Sequence, residues 1–464
     1  MTVLRKTAIS DETVAKLFSR LDRSPDRQVR GQGAPEKRQP VHTVYGGAHL
    51  FRADTARRLG EMAVRAMQEY APDAATLAAA AGLSSERAEM IYSRVMEKLR
   101  REPVEDFRLD FEDGYGNRPD AEEDGHAESA AIEVVNGMAA NQLPPYIGIR
   151  IKPLNPELRA RSFRTLDIFV GTLAARGGGK LPANFVVTLP KITSAAQVTV
   201  LVDFLETLEA AVRLRPGAVQ IELMIETTES VFNARGECAL PELVAAARGR
   251  CRGAHFGTYD YTAACGITAA HQTMTHPACD FARSVMQAAL AGTGIWLSDG
   301  ATNILPVRIH RAAKGGLPLS QMQAAENRSA VHRAWRLHAE HIRHSLVGGF
   351  YQGWDLHPAQ LVTRYAAVYD FFLAGLDSAS GRLRNFVKKA AQATLAGEVF
   401  DDAATGQGLM NYFLRAMHAG AITEQEAQER SGLTLEELRS GSFLKILENR
   451  TAKPKGGGAS TLSE

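Results

Sequence analysis

Three carboxylates, Asp110, Glu112 and Asp113, fall within four positions of the stretch FRLDFEDGYG, at the end of an apolar, β-rich run. Charge at a strand end is costly to desolvate unless a cation, a proton or a substrate offsets it. The cluster is therefore a candidate for chemistry. A second acidic pair has the same setting: Glu226 in LMIETTES and Asp260 in HFGTYDYTAACG each follow an apolar run. Two hard carboxylate oxygens from adjacent strand ends suit Mg²⁺, which keeps positions for water and substrate. Without those apolar runs, the two acids would read as solvated loop carboxylates.

Cations obey the same rule. Arg150 emerges at the end of YIGIR, and a guanidinium is well suited to clamping a planar carboxylate or an enolate oxygen. It can also pair with Glu112 or Asp113, which would then orient it and hydrogen-bond the waters of a metal. Lys191 ends VVTLPK. A Schiff base is one use of such a lysine, but a site with a divalent cation and an arginine stabilises an enolate without an imine. Salt bridging or phosphate contact is the remaining role. Asp299 in GIWLSDG and His357 in DLHPAQ lie at further strand ends and are candidates for contact with substrate. His332, His338, His341 and His344 share VHRAWRLHAEHIRH with Arg333, Arg336 and Arg343, which reads as a solvated basic face rather than a zinc site. No Walker loop, dinucleotide fingerprint or hydrolase signature is present.

These residues need elements to converge them. Eight β-rich runs begin at about 41, 107, 146, 184, 221, 254, 294 and 353, with helical patterns between them. Eight is the strand number of the βα barrel, whose strand C-termini meet at one mouth. The expected fold is α/β, a (β/α)8 TIM barrel over 41–363. An inserted helical hairpin is expected at about 73–102, with an N-terminal arm over 1–40, a C-terminal helical region over 364–450 and a disordered tail over 451–464. The GLS turn of the hairpin resembles a helix-turn-helix. Without a basic surface excess the hairpin reads instead as a lid or an oligomer contact.

Bulk composition excludes several classes. The 464 residues are 45% hydrophobic, and 54 Lys plus Arg against 52 Asp plus Glu leave a formal charge of +2, so no global field recruits nucleic acid or an anionic membrane. No apolar run is long enough to span a bilayer, and the N-terminus lacks the apolar core of a signal peptide. The cytoplasm is the expected location. Four cysteines, Cys238, Cys251, Cys265 and Cys279, are too sparse for a disulfide scaffold and read as reduced, mostly buried thiols.

Six motifs in order, LDFEDG, IRIKPLN, TLPKITSAAQV, MIETTES, FGTYDYTAACG and GWDLHPAQL, resemble the HpcH/HpaI aldolase and citrate lyase beta-subunit superfamily, which includes malyl-CoA lyases. The resemblance covers about residues 41 to 363. It implies a barrel of the phosphoenolpyruvate/pyruvate type that uses Mg²⁺, with Mn²⁺ as the alternative ion, to cleave or form a carbon–carbon bond. By the same resemblance Glu226 and Asp260 are metal ligands, and Arg150 holds the oxo-acid or enolate oxygen. Glu112 and Asp113 are the acidic pair of the family's LDLED motif. A base from a C-terminal segment, often a neighbouring subunit's, has Asp401 as its nearest candidate here, with Asp402 beside it. A homo-oligomer is implied as well.

Two departures bear on the substrate. QGWDLHP lacks the lysine of the family's GKWxIHP, and the insertion and enlarged C-terminal region are unlike short citrate-lyase subunits. The expectation is a carbon–carbon lyase or aldolase acting on a small oxo- or hydroxy-acid such as pyruvate, oxaloacetate or glyoxylate, with no nucleic-acid or membrane partner. The alternatives are an acyl-CoA lyase, a malate-synthase-like condensing enzyme or thioesterase using CoA thioesters, and a non-catalytic metabolite-binding barrel.

Overall fold

The structure, a computed structural model, describes residues 38–312, 317–388 and 403–440, the backbone of 394–396 and 399–401, and the isolated positions 12, 13, 16, 19 and 446. Eight parallel strands close into a barrel in chain order: β1 (His42–Gly47), β2 (Asp106–Asp110), β3 (Tyr146–Arg150), β4 (Phe185–Leu189), β5 (Gln220–Ile225), β6 (Cys251–Phe256), β7 (Trp296–Ala301) and β8 (Gln352–Asp355), which pairs back onto β1. Each of the eight β-rich runs supplies one strand. The helices are α1 (Thr55–Tyr70), α2 (Ala74–Ala81), α3 (Ala88–Arg101), α4 (Asp120–Ala140), α5 (Arg159–Arg176), α6 (Ala195–Ala211), α7 (Thr228–Val231), α8 (Leu240–Ala246), α9 (Thr258–Ala264), α10 (Pro277–Leu290), α11 (Gln321–Val347) and α12 (Gln360–Lys388). Beyond them come α13 (Ala403–His418), α14 (Glu424–Ser431) and α15 (Leu435–Arg439).

Local chemistry explains the element types. α6 starts at a capping box of Ser194 and Gln197 and buries Val198, Leu201, Val202, Leu205 and Leu208 at three- and four-residue spacing, the stripe an outer helix lays on a barrel. On β2 the period of two sends Phe107 and Leu109 out to the helices and Asp106, Arg108 and Asp110 in. The interior is consequently ionic. Arg108 donates to Thr188 Oγ1 at 3.1 Å and Glu222 Oε2 at 3.1 Å and pairs with Asp106. Burial alone would raise the Glu222 carboxyl, but Arg108 and bonds from His255 and Thr188 hold it below the usual range.

The inserted hairpin α2–α3 packs against α11 and α12. The left-handed Gly82 (φ +67°) stops α2, and two arginines of α11 cap its free carbonyls. Arg336 donates to Ala79 O, and Arg343 donates to Ala81 O at 2.9 Å and Gly82 O at 2.6 Å. The reading of the histidine-rich stretch as a solvated basic face is corrected for its inward side only. Trp335, His338 and His341 are buried; His338 lies 2.7 Å from Thr363 Oγ1 and 3.1 Å from Asp355 Oδ1, and His341 lies 2.8 Å from Thr302 Oγ1. Arg333 and Arg336 stay exposed, whereas Trp335, His338 and His341 face inward.

α12 runs through the expected boundary at 363/364, and α13 and α14 pack on it. Arg94 of α3 reaches Glu426 at 2.6 Å, tying the insertion to the C-terminal helices. Most of the expected arm and the whole of the expected tail lie outside the described residues. The cysteines are free, but only Cys279 is buried. Cys238 and Cys251 are half-buried and Cys265 is exposed, which corrects the expectation of mostly buried thiols. No helix among the described residues is long and apolar enough to cross a membrane.

Candidate active site at the strand C-termini

Asp110 and Arg150 close β2 and β3 as direct register partners. Arg150 Nε donates to Asp110 Oδ1 at 2.7 Å and Nη2 to Oδ2 at 2.5 Å, and the arginine is 1% exposed. The same carboxylate accepts the backbone N–H groups of Glu112 at 3.0 Å and Gly114 at 2.7 Å. One side chain therefore pins the arginine and folds the turn that carries Glu112 and Asp113. A Cβ on Gly114 would lie 2.7 Å from Asp110 Oδ2, so this turn needs a glycine. The guanidinium also lies over the rings of Tyr45 at 4.9 Å and Trp354 at 5.4 Å, contacts that support a desolvated cation.

Glu112 and Asp113 each bridge two cations. Arg150 Nη1 lies 3.0 Å from Glu112 Oε2 and 3.5 Å from Asp113 Oδ2. Lys191 Nζ pairs with Glu112 Oε1, lies 3.1 Å from Asp113 Oδ1 and reaches to 3.9 Å from Asp260 Oδ1. Burial would lower the Lys191 pKa, but Glu112, Asp113 and Asp260 together raise it above its ordinary value. Lys191 is a fixed ammonium, not an imine-forming amine. Burial, opposed by Arg150 and reinforced by the Asp113 charge, pushes the Glu112 carboxyl up to about 7.

Glu226 follows β5 and is 1% exposed, while Asp260 sits half-exposed in the first turn of α9. Their carboxyl groups lie close enough to act on one another's protonation. Burial first, and then the Asp260 charge, push the Glu226 carboxyl up to about 8; Asp260 is raised too, again chiefly by burial. A Cβ on Gly257 would stand 2.5 Å from Glu226 Oε2, so the backbone there is shaped around this carboxylate. Among the described residues no group of three or more His, Cys, Asp or Glu is set to hold a metal ion. A pair of carboxylates nevertheless fits Mg²⁺, which is commonly held through one or two carboxylates with water and substrate completing its shell. A divalent cation would also relieve the repulsion that raises both groups.

The remaining candidates do not join this cluster. Asp299 is fully buried: Arg283 Nη1 and Ser345 Oγ donate to its Oδ2, each at 2.6 Å, and the Gly300 N–H donates to Oδ1 at 2.8 Å. None of these partners belongs to the Glu226–Asp260 cluster. Its carboxylate ties β7 to α10 and α11. His357 Nδ1 accepts the Ala359 N–H at 3.2 Å, and the residue lines an apolar cavity of about 290 Å³ with Val44, Phe51, Met62 and Phe107. It caps a turn behind β1. Asp401 ends a short strand, Val399–Asp401, paired with Thr394–Ala396, but its side chain and Asp402 lie outside the described residues.

Three parts of the site escape a reading of the sequence. Asp110 as the partner of Arg150 has a local signal, the inward alternation Asp106, Arg108, Asp110. Tyr45 and Trp354 have none, because they come from β1 and β8 and meet Arg150 only when the barrel closes.

By fold, the chain is similar to a citrate lyase from Burkholderia xenovorans LB400, at a TM-score of 0.53 and 18% identity over 84% of this chain and 95% of that one. It also matches, at a TM-score of 0.43 and 15% identity, the protein CitE from Mycobacterium tuberculosis in complex with magnesium, acetoacetate and coenzyme A, covering 84% of this chain and 99% of that one. A Haloferax volcanii malate synthase lead(II) complex matches at a TM-score of 0.40 and 16% identity, covering 78% of this chain and 96% of that one. The first of these likenesses shows the TIM-barrel fold. No curated protein matches the sequence. Residues 22–446 match the family described as "Domain of unknown function (DUF6986)", a match across most of the chain, so the protein belongs to that family.

Proposed function

We propose that the protein is a Mg²⁺-dependent carbon–carbon lyase or aldolase that cleaves or forms a small 2-oxo or hydroxy acid. The observation that carries this reading is the meeting of Glu226 and Asp260 with the cations Arg150 and Lys191 at the strand C-termini. Glu226 and Asp260 would hold the ion, which when bound supplies Lewis-acid polarisation of a 2-oxo acid.

This chain's own residues do the rest. Arg150 and Lys191 provide fixed positive charge beside the place where an enolate oxygen would develop, and their carboxylate partners keep them from reorganising as it forms. Glu112, with its carboxyl at about 7, holds or releases a proton near neutral pH, as a general acid–base group must. Asp113 is held ionised, since Arg150 and Lys191 outweigh its burial and lower its pKa. Tyr45 and Trp354 close the floor beneath Arg150 and limit water there.

The test is release of pyruvate, oxaloacetate or glyoxylate from a panel of β-hydroxy acids and their CoA thioesters, with and without Mg²⁺, beside Glu226→Gln. Metal-dependent release that falls by roughly two or more powers of ten in the variant supports the lyase. No release from any substrate, together with no Mg²⁺ binding by calorimetry, replaces it with the non-catalytic barrel.

A further inference from the structure

At the opposite end of the strands, where β4 to β7 begin, lies a cavity of about 820 Å³. Its lining carries three cationic side chains, Lys180, Arg215 and Arg252, and no carboxylate. Among the described residues none of the three forms an ion pair. Lys180 and Arg215 are exposed. Arg252 is half-buried, donates only to Asn184, at 2.8 Å to its carbonyl and 3.1 Å to Oδ1, and lies over the rings of Tyr146 at 5.6 Å and Trp296 at 5.4 Å.

A half-buried guanidinium normally finds a carboxylate. The acids nearest Arg252, Asp106 and Glu222, lie deeper in the barrel and are already held by Arg108. Burial and the Arg108 charge accordingly lower the Arg252 pKa. The chain as a whole is almost neutral, at +2, so a cavity lined by three cations and no carboxylate is a local feature. The N-terminal face of such a barrel ordinarily serves stability alone, and unpaired cations around a concave site do not serve it.

We infer that this cavity binds a nucleoside phosphate. Lys180, Arg215 and Arg252 match the phosphate oxygens, which supply the missing counter-charge in the geometry guanidinium groups favour. Trp296, half-buried on the wall, offers an aromatic surface against which a base packs. The volume lies in the range of small-ligand and cofactor sites. The inference is independent of the chemistry assigned to the mouth, because it uses none of the residues there.

The experiment is calorimetric titration of the full chain with adenosine diphosphate, pyrophosphate and adenosine, each in the presence of EDTA so that no metal bridges the ligand to Glu226. The expected result is one adenosine diphosphate per chain, bound more tightly than pyrophosphate or adenosine. Affinity should fall about tenfold or more in Lys180→Gln/Arg215→Gln and stay unchanged in Glu226→Gln. The two substituted cations are exposed, so the variant should melt like the parent. Arg252→Gln gives a second reading from the buried side. No binding up to about 1 mM, or binding indifferent to the Lys180 and Arg215 changes, overturns the site. Equal affinity for pyrophosphate and adenosine diphosphate overturns the nucleoside assignment, and loss of binding in Glu226→Gln would move the ligand to the mouth.

Discussion

The backbone N–H of Lys191 donates to Glu226 Oε1 at 2.8 Å from a residue with φ of +49°, while the ammonium of the same lysine pairs with Glu112. One residue thus serves two parts of the site through two different groups, in a left-handed conformation that costs an L-residue about 1–2 kcal/mol. The two contributions separate by substitution. Lys191→Gln and Lys191→Gly should both lose about tenfold or more in turnover. The glycine variant should be more stable than the glutamine variant by about 1 kcal/mol, since it alone relieves the backbone. Steady-state kinetics and urea unfolding read the two effects.

Asp110 is the structural anchor of the turn. Asp110→Asn removes the bidentate charge on Arg150 while Glu112 and Asp113 still face it, and should destabilise the protein by about 1.5–3 kcal/mol, the range for hydrogen bonds to a charged group. Asp113→Asn, at a half-exposed carboxylate, should cost about 1 kcal/mol or less. Denaturant midpoints for the two variants check the order.

Gly257→Ala tests the cradle. The added methyl would stand 2.5 Å from Glu226 Oε2, so the carboxylate must move. Mg²⁺ affinity should fall about tenfold or more, with a stability loss of about 1–3 kcal/mol from overpacking. Calorimetry and thermal melting measure the pair of effects; an unchanged Mg²⁺ affinity would separate Glu226 from metal binding.

The pH dependence follows from Glu226, whose carboxyl is raised from 4.5 to about 8 by burial and Asp260. A group raised on folding contributes stability that is complete below its unfolded pKa and is lost as pH rises through the folded one. Without metal, this group's contribution should therefore decline between about pH 4.5 and 8. Glu226→Gln should flatten that decline in thermal melts. Binding of Mg²⁺ requires the ionised form, so affinity should strengthen as pH rises toward about 8, with proton release at neutral pH.

Much of the fold was legible because its signals are local. The strand runs alternate or stay apolar over four to six residues, the outer helices repeat at three and four, and Arg150, Glu226, Lys191 and Asp260 stand at a strand end or within four residues of one, which places them at one mouth once a barrel is assumed. Asp299 shows where that logic stops. It lies inside β7 rather than at its end, the irregular pairing of β7 with β8 between Ser298 and Ala301 disturbs the alternation by which facing is read, and its carboxylate meets Arg283 on α10. The histidine stretch of α11 misled in part for a related reason: His338 and His341 look as solvated as the exposed Arg333 and Arg336 until Asp355, Thr363 and Thr302 meet them across the fold.

The sequence by itself determined the element types, their order, the number of strands and the residues that end them, because each depends on neighbours within a turn or a strand. Tertiary structure alone decided which charges face one another. Asp110 rather than Glu112 takes the bidentate face of Arg150, Tyr45 and Trp354 from the closing strands form its floor, and Lys180, Arg215 and Arg252 gather at the far end without a carboxylate. Those outcomes depend on barrel register and closure, which bring together residues tens to hundreds of positions apart. Coulomb energy depends on that separation in space and on burial, and neither is a property of the chain read in order.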